Sequence, residues 1–199
     1  RYADEFGYTI KMLGIARHHG EEDGGYIDAR VHPVMIPKNH PLATVRDSYN
    51  AVYVEGNAVE KTMFYGRGAG ALPTGSAIVG DIIQAARNIV HNCKARWGCT
   101  CYLNLPVLPI DEVEGKYYVR ICVYDTVGVL AALATALTEN NISVDAVIQK
   151  RKISDDKAEI VIITYKVRHA DMMAALKAIG DLDCTYEVSD YIRVEEDED

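Results

Sequence analysis

Long apolar runs are missing from this sequence of 199 residues. No stretch approaches the roughly 20 consecutive apolar residues of a membrane-spanning helix, so a helical integral membrane protein is excluded. Basic residues are in deficit, 21 Lys and Arg against 29 Asp and Glu, for a net charge of -8, and residues 195–199 are all acidic. Such a surface repels phosphate backbones and anionic lipid, which argues against nucleic-acid or membrane partners. An initiator methionine, a basic leader and a small-residue cleavage site are also lacking. The expectation is an excised piece of a longer protein. The cysteines are few and odd in number, Cys93, Cys99, Cys101, Cys122 and Cys184. That is a poor disulfide framework and points to a reducing, cytoplasmic setting. His91, Cys93, Cys99 and Cys101 lack the paired two-residue gaps of zinc knuckles, so no metal is expected. No Ser or Cys lies in a recognisable nucleophile elbow, and His18, His19, His32, His40, His91 and His169 are dispersed, so no catalytic residue is assigned.

What is present is an ordinary globular balance, 49% hydrophobic and 25% charged, over a length comfortable for two domains. In the first half, extended runs at 8–16, 26–36, 49–55 and 61–65 are separated by Gly24-Gly25, the 37–41 turn and Gly56-Asn57, and are expected to form one sheet. Ile78, Ile82, Ala85, Ala86 and Ile89 then recur at helical spacing, predicting a helix over 73–90 with Pro73 in its first turn or Thr74 as its cap. Residues 92–116 show no sustained period and read as a linker. From Tyr117 the order is βαββαβ: strands near 117–124, 142–152, 159–167 and 185–194, with helices over 127–140 and 171–182. Val127, Leu130, Ala134 and Leu137 form one apolar stripe and Met172, Leu176 and Ile179 another, both expected to face the sheet. A turn at 154–157 joins the central strands. The fold class is therefore α+β: a partial mixed-sheet domain at 1–91, the linker 92–116, and a ferredoxin-like βαββαβ domain at 117–199.

The most conspicuous motif is Gly66-Arg67-Gly68-Ala69-Gly70-Ala71, which fits G-x-G-x-x-A, follows a strand and opens a helix. A self-sufficient dinucleotide site would lead onward into a second parallel strand with an acidic residue about 20 positions away, and this helix leads instead into the linker. What survives is a tight glycine turn with helix-start N–H groups able to meet a polar partner.

The segments Gly7-Tyr8-Thr9-Ile10-Lys11, Val31-His32-Pro33, His40-Pro41-Leu42-Ala43, Asn50-Ala51-Val52 and the glycine turn followed by Pro73-Thr74 resemble the latter part of the catalytic domain of homoserine dehydrogenases. Tyr117-Tyr118-Val119-Arg120, residues 125–130 and Asn141-Ile142-Ser143-Val144 resemble the ACT domain that many bacterial members carry. The resemblance implies an oxidoreductase interconverting aspartate semialdehyde and homoserine with NADP or NAD, on the route to threonine, methionine and isoleucine. It also implies that the nucleotide-binding domain and the family's Asp-x-x-x-Lys pair lie upstream, since Asp4 and Lys11 do not reproduce that spacing. A chain without them is expected to be inactive and to bind no cofactor alone. By match, Gly70 lines the nicotinamide pocket. The regulatory ligand, a small amino acid with threonine foremost, is expected at Asp125, Thr126, Val127, Gly128, Val129 and Leu130, where the family often has proline in place of Val127. Homo-oligomers through the ACT and catalytic sheets are implied too. A free-standing amino-acid-binding or dimerisation module is the alternative, and a glycine turn of catalytic type is the feature it would have no use for.

Overall fold

The computed structural model describes residues 2–21, 24–93, 103–154 and 156–196. The elements in chain order are α1 (Tyr2–Glu5), β1 (Tyr8–His19), β2 (Tyr26–Pro37), β3 (Tyr49–Gly56), β4 (Glu60–Arg67), α2 (Ala71–Val90), β5 (Glu114–Tyr124), α3 (Val129–Glu139), β6 (Val144–Ser154), β7 (Lys157–Thr164), β8 (Val167–Arg168), α4 (His169–Gly180) and β9 (Thr185–Val194). They fall into two compact units, Arg1–Pro37 with Leu105–Asp199, and Lys38–Asn104.

In the first unit the βαββαβ order expected from the sequence is the order that forms. Its strands lie in the order β9-β5-β7-β6, every neighbour antiparallel. Alternation along β5 sends Tyr117, Val119, Ile121 and Val123 into a core with Leu133 and Leu137 of α3 and Met172 and Ile179 of α4. The other face of the sheet is apolar as well. Tyr118, Val161 and Ile163 pack there against Met35 and Val194, with Phe6 and Tyr8 alongside, and Phe6 meets the Tyr118 ring edge-on at 6.3 Å. The N-terminal segment thus covers the face that the two helices leave open.

The expected single sheet in the first half is corrected here. β1 and β2 form a twelve-residue antiparallel ladder, and β2 then runs parallel to β9 through Val34↔Arg193 and Met35↔Val194, making one seven-stranded sheet in the order β1-β2-β9-β5-β7-β6, with β8 on β5. After Pro37, whose ring removes a donor and fixes φ, the chain turns into a short 3-10 helix (Pro41–Thr44) capped by the His40 ring. Among the described residues of the second unit, β3 and β4 pair only with each other. The 1–91, 92–116 and 117–199 division and the packing therefore group residues differently: two strands from the start of the chain complete the sheet of its end.

The stripe expected on α3 is also corrected. Leu137 is buried, but Val127, Leu130 and Ala134 are exposed, and the residues facing the core are Val129, Leu133, Ala136 and Leu137. α3 begins at Val129 after Gly128, whose φ of 94° sets the phase of the helix. The α4 stripe of Met172, Leu176 and Ile179 is buried as expected. α2 starts at Ala71 with Gly70 as its cap, not Thr74, and none of its residues is buried; Leu72, Ile82, Ile89 and Val90 are well exposed. No helix among the described residues is long and apolar enough to cross a membrane. The proposed 154–157 turn includes Asp155, and the cluster around His91 includes Cys99 and Cys101; these three lie outside the described residues.

Candidate functional sites

The glycine turn belongs to the second unit. β4 ends at Arg67, the Gly68 N–H donates to the Ser48 carbonyl at 3.1 Å, and Gly70 caps α2 at φ 125°, a conformation that disfavours any side chain. A Cβ there would also lie 3.4 Å from Pro73 Cδ. The Thr74 N–H closes the first turn on the Gly70 carbonyl at 3.1 Å, which leaves the Ala71 and Leu72 N–H groups without intrahelical acceptors. Pro73, in this first turn, has no N–H to lose. Two neighbours stiffen the approach. Arg67 donates to Ser48 Oγ at 3.1 Å and lies over the Tyr49 ring, itself stacked on Tyr65 at 4.8 Å, while the Asn50 side chain fills the space where a Cβ on Gly68 would go.

The predicted regulatory loop lies between β5 and α3. Asp125, Thr126, Gly128, Val129 and Leu130 line one recess of about 200 Å³, whereas Val127 is not in its wall and is fully exposed. The loop is held from both ends: the Asp125 N–H donates to the Asp156 carbonyl at 2.9 Å and the Thr126 N–H to the Tyr124 carbonyl at 2.8 Å. The Ala132 N–H reaches the Gly128 carbonyl at 3.0 Å, so the N–H groups of Val129, Leu130 and Ala131 point out of the helix start without intrahelical partners. Sequence reading missed five wall residues: Val123, Tyr124 and Ala131, which flank the loop in the chain, and Gln149 of β6 and Ile160 of β7, which strand pairing alone brings there. A carboxylate would find the N–H groups and the positive end of the helix dipole, and Asp125 and Gln149 supply acceptors for an ammonium.

The histidines have local roles. His40 caps, His18 contacts the Gly24 carbonyl at 2.7 Å, His32 the Pro33 carbonyl at 2.9 Å, and His169 the Tyr117 hydroxyl at 2.8 Å. Burial pushes the Tyr117 hydroxyl up to about 12, against the pull of Arg193, so it stays protonated. Burial lowers the pKa of His169, with Arg193 adding to the effect, and burial likewise lowers His32 despite its bond to the Pro33 carbonyl. Close by, Glu195 accepts from Arg17 at 2.6 Å and Arg30 at 2.7 Å. Burial opposes its ionisation, but the two arginines outweigh burial and hold the carboxyl below its ordinary range.

All three shifts are downward, so each group binds protons less readily folded than unfolded. Their stabilisation is complete above the unfolded pKa and is lost as pH falls through the folded one: below about 6.5 for the histidines, then below about 4.5 for Glu195. The melting temperature is expected to fall between pH 7 and pH 5, and His32→Gln with His169→Gln to flatten that slope. A melting temperature constant over this window in the parent chain contradicts the assignment.

A homoserine dehydrogenase family model matches residues 1–83, and an ACT domain model matches residues 117–184. The homoserine dehydrogenase of Corynebacterium glutamicum is 38% identical over 196 residues, covering 98% of this chain and 43% of the relative. That of Neisseria gonorrhoeae is 40% identical over 200 residues, covering 98% and 45%. Among solved structures, a homoserine dehydrogenase from Thiobacillus denitrificans superposes with a TM-score of 0.85 at 36% identity, over 98% of this chain and 44% of that one. The S. aureus homoserine dehydrogenase at pH 7.0 gives 0.59 at 28% identity, over 98% and 43%. The chain spans less than half the length of these relatives.

Proposed function

Because the chain belongs to the homoserine dehydrogenase family and carries an ACT domain at residues 117–184, we propose that it is the C-terminal part of an NAD- or NADP-dependent oxidoreductase interconverting aspartate semialdehyde and homoserine, regulated by an amino acid. The observation that carries this reading is the glycine turn. It opens a helix whose first-turn N–H groups have no acceptor within the helix, yet β4 pairs only with antiparallel β3 among the described residues. Such a turn fits a cofactor held mainly by another domain, with Gly70 giving the close approach and the Ala71 and Leu72 N–H groups available to a polar group of the nicotinamide end. The cofactor, when bound, supplies the hydride; this chain's residues position it. The exposed apolar residues of α2 fit the same reading, since they need cover.

Threonine is the effector proposed for the recess at Asp125, Thr126, Gly128, Val129 and Leu130. The loop's helix-start donors and acidic side chain support a zwitterionic ligand. Val127 stays outside this assignment. Self-association through the sheets belongs to the proposal as well, with β6 and β1 as the edges a second copy could pair. A cytoplasmic setting fits the free thiols Cys93, Cys122 and Cys184. A free-standing binding or dimerisation module would leave the glycine turn without a use.

The test uses a full-length homoserine dehydrogenase carrying this C-terminal part. Gly70→Ala places a side chain at positive φ against Pro73, and KM for the nicotinamide cofactor is expected to rise tenfold or more. Unchanged cofactor kinetics would remove the turn from the cofactor site.

A further inference from the structure

Arg30 of β2 is a hub that neither of the sites above uses. Its side chain is 5% exposed, and all of its guanidinium nitrogens are engaged. Nη1 donates to Asp28, two residues back on the same strand, and Nη2 to Glu195 Oε1 at 2.7 Å. Nε donates to Nε2 of His32, two residues ahead, at 3.0 Å. Glu195 follows β9 directly, and its N–H donates to the Met35 carbonyl at 2.9 Å, one step beyond the β2–β9 ladder. Arg30 therefore ties the segment after β9 to the β1–β2 hairpin beside the point where the backbone does so.

The two bonds of the His32 ring fix its protonation state. An arginine Nε–H can only donate, so Nε2 of His32 offers its lone pair. A carbonyl can only accept, so Nδ1, 2.9 Å from the Pro33 oxygen, carries the proton. The ring is thus a neutral Nδ1–H tautomer. A second proton has one place to go, the Nε2 lone pair, where it sets N–H against N–H and a cation against a buried guanidinium. The surroundings resist that step. Burial lowers the pKa of His32, and Arg30 and Arg193 of β9 add to the effect, while the Pro33 carbonyl and, least of all, the Glu195 carboxylate act the other way. On β1 the residue opposite His32 is the apolar Leu13, with Lys11 and Arg17 further along the same face, and Asp28 lies beyond Arg30 on β2.

We propose that His32 is a proton-operated latch: neutral, it holds Arg30 in the orientation that docks Glu195 on the hairpin, and protonated, it lets go of Arg30 and loosens the segment after β9. Because the folded ring binds a proton less readily than a free one, docking is strongest above about pH 6.5 and weakens as pH falls through the lowered value.

The test is nuclear magnetic resonance on the chain at pH 7 and pH 5. At pH 7 the His32 nitrogens are expected to show Nδ1 protonated and Nε2 bare. Hydrogen exchange of the Glu195 amide, corrected for the intrinsic pH dependence of exchange, reports docking of the segment. Its protection is expected to fall by at least about threefold from pH 7 to pH 5, with the amide of Ile162 in β7 better protected at both, which marks the opening as local. In His32→Gln the side-chain oxygen can still accept from Arg30 and does not titrate, so the fall should disappear. His169→Gln removes the other histidine with a lowered pKa and should leave the fall in place. An Nε2–H tautomer at pH 7, protection that does not fall in the parent chain, a fall of the same size in His32→Gln, a fall lost in His169→Gln, or a Glu195 amide as well protected as Ile162 overturns the latch. The tautomer is read on the unaltered chain, so it decides the matter even if His32→Gln perturbs the fold.

Discussion

Threonine is expected to raise the melting temperature of the chain, and Gly128→Val to abolish the rise. A ligand bound only by the folded state stabilises it by about 2.7 kcal/mol at a hundred times Kd. For a protein of this size about 1 kcal/mol moves the midpoint by roughly 2–4 °C, so the expected rise is about 5–10 °C and grows with concentration. Gly128 lines the recess and a Cβ on it would meet no atom within 4 Å, so an added side chain is accommodated and takes up open space at the recess wall. The same residue has φ 94°, where a β-branched side chain is strained by about 1–2 kcal/mol. Gly128→Val should thus start several degrees lower, and each protein must be read against its own unliganded midpoint. Gly128→Asn separates the two effects, because asparagine tolerates the left-handed conformation while still filling the space. Its baseline should stay close to that of the parent chain while the threonine response disappears. A threonine response that persists in both variants, or that is missing before either is made, takes the effector away from this loop.

The second large effect is an absence of turnover: the isolated chain, given aspartate semialdehyde and reduced cofactor or homoserine and oxidised cofactor, is expected to show no rate above the uncatalysed reaction. Holding two reactants in line supplies effective molarities of about 10⁵–10⁸ M, and a positioned acid–base group about 10²–10⁴-fold more. The glycine turn alone supplies neither. It offers two backbone donors at the exposed start of α2, and Lys11 lies in the middle of β1, seven positions after Asp4, not four. The measurement is the change in cofactor absorbance at high protein concentration. Any turnover that scales with the chain would show that the residues present suffice, and would overturn their assignment as the completing part of another domain's site.

The βαββαβ order could be read from sequence because each element carries its own period and the turns between them have their own chemistry. α4 shows why some stripes are decisive: only one face of it is continuously apolar, and Met172, Leu176 and Ile179 are where that face predicts. α3 is apolar almost throughout, so the single stripe expected from its spacing was not the face that packs, and the phase was decided by Gly128 and the packing around it. α2 has helical spacing of isoleucines without burial, since a period tells which residues share a face but not what covers that face. The partnership of β2 with β9 was beyond reach for another reason. Val34 and Arg193 are far apart in the chain, and nothing local to either residue announces a parallel ladder two pairs long. The recess followed the same rule: its loop residues are contiguous and were found, while Gln149 and Ile160 come from neighbouring strands.

That short ladder has a consequence for cutting and transplanting this protein. An ACT module excised at the 92–116 boundary would leave behind Met35, Phe6 and Tyr8, the side chains that cover Tyr118, Val161 and Ile163. The graft would carry a bare apolar face into its host and be prone to aggregate. A nick anywhere between residues 38 and 104, by contrast, severs no strand of the seven-stranded sheet. The two pieces would remain clasped by β2 on β9, by Glu195 on Arg17 and Arg30, and by Tyr8 on Glu196, so that the N-terminal segment behaves as a complementing peptide.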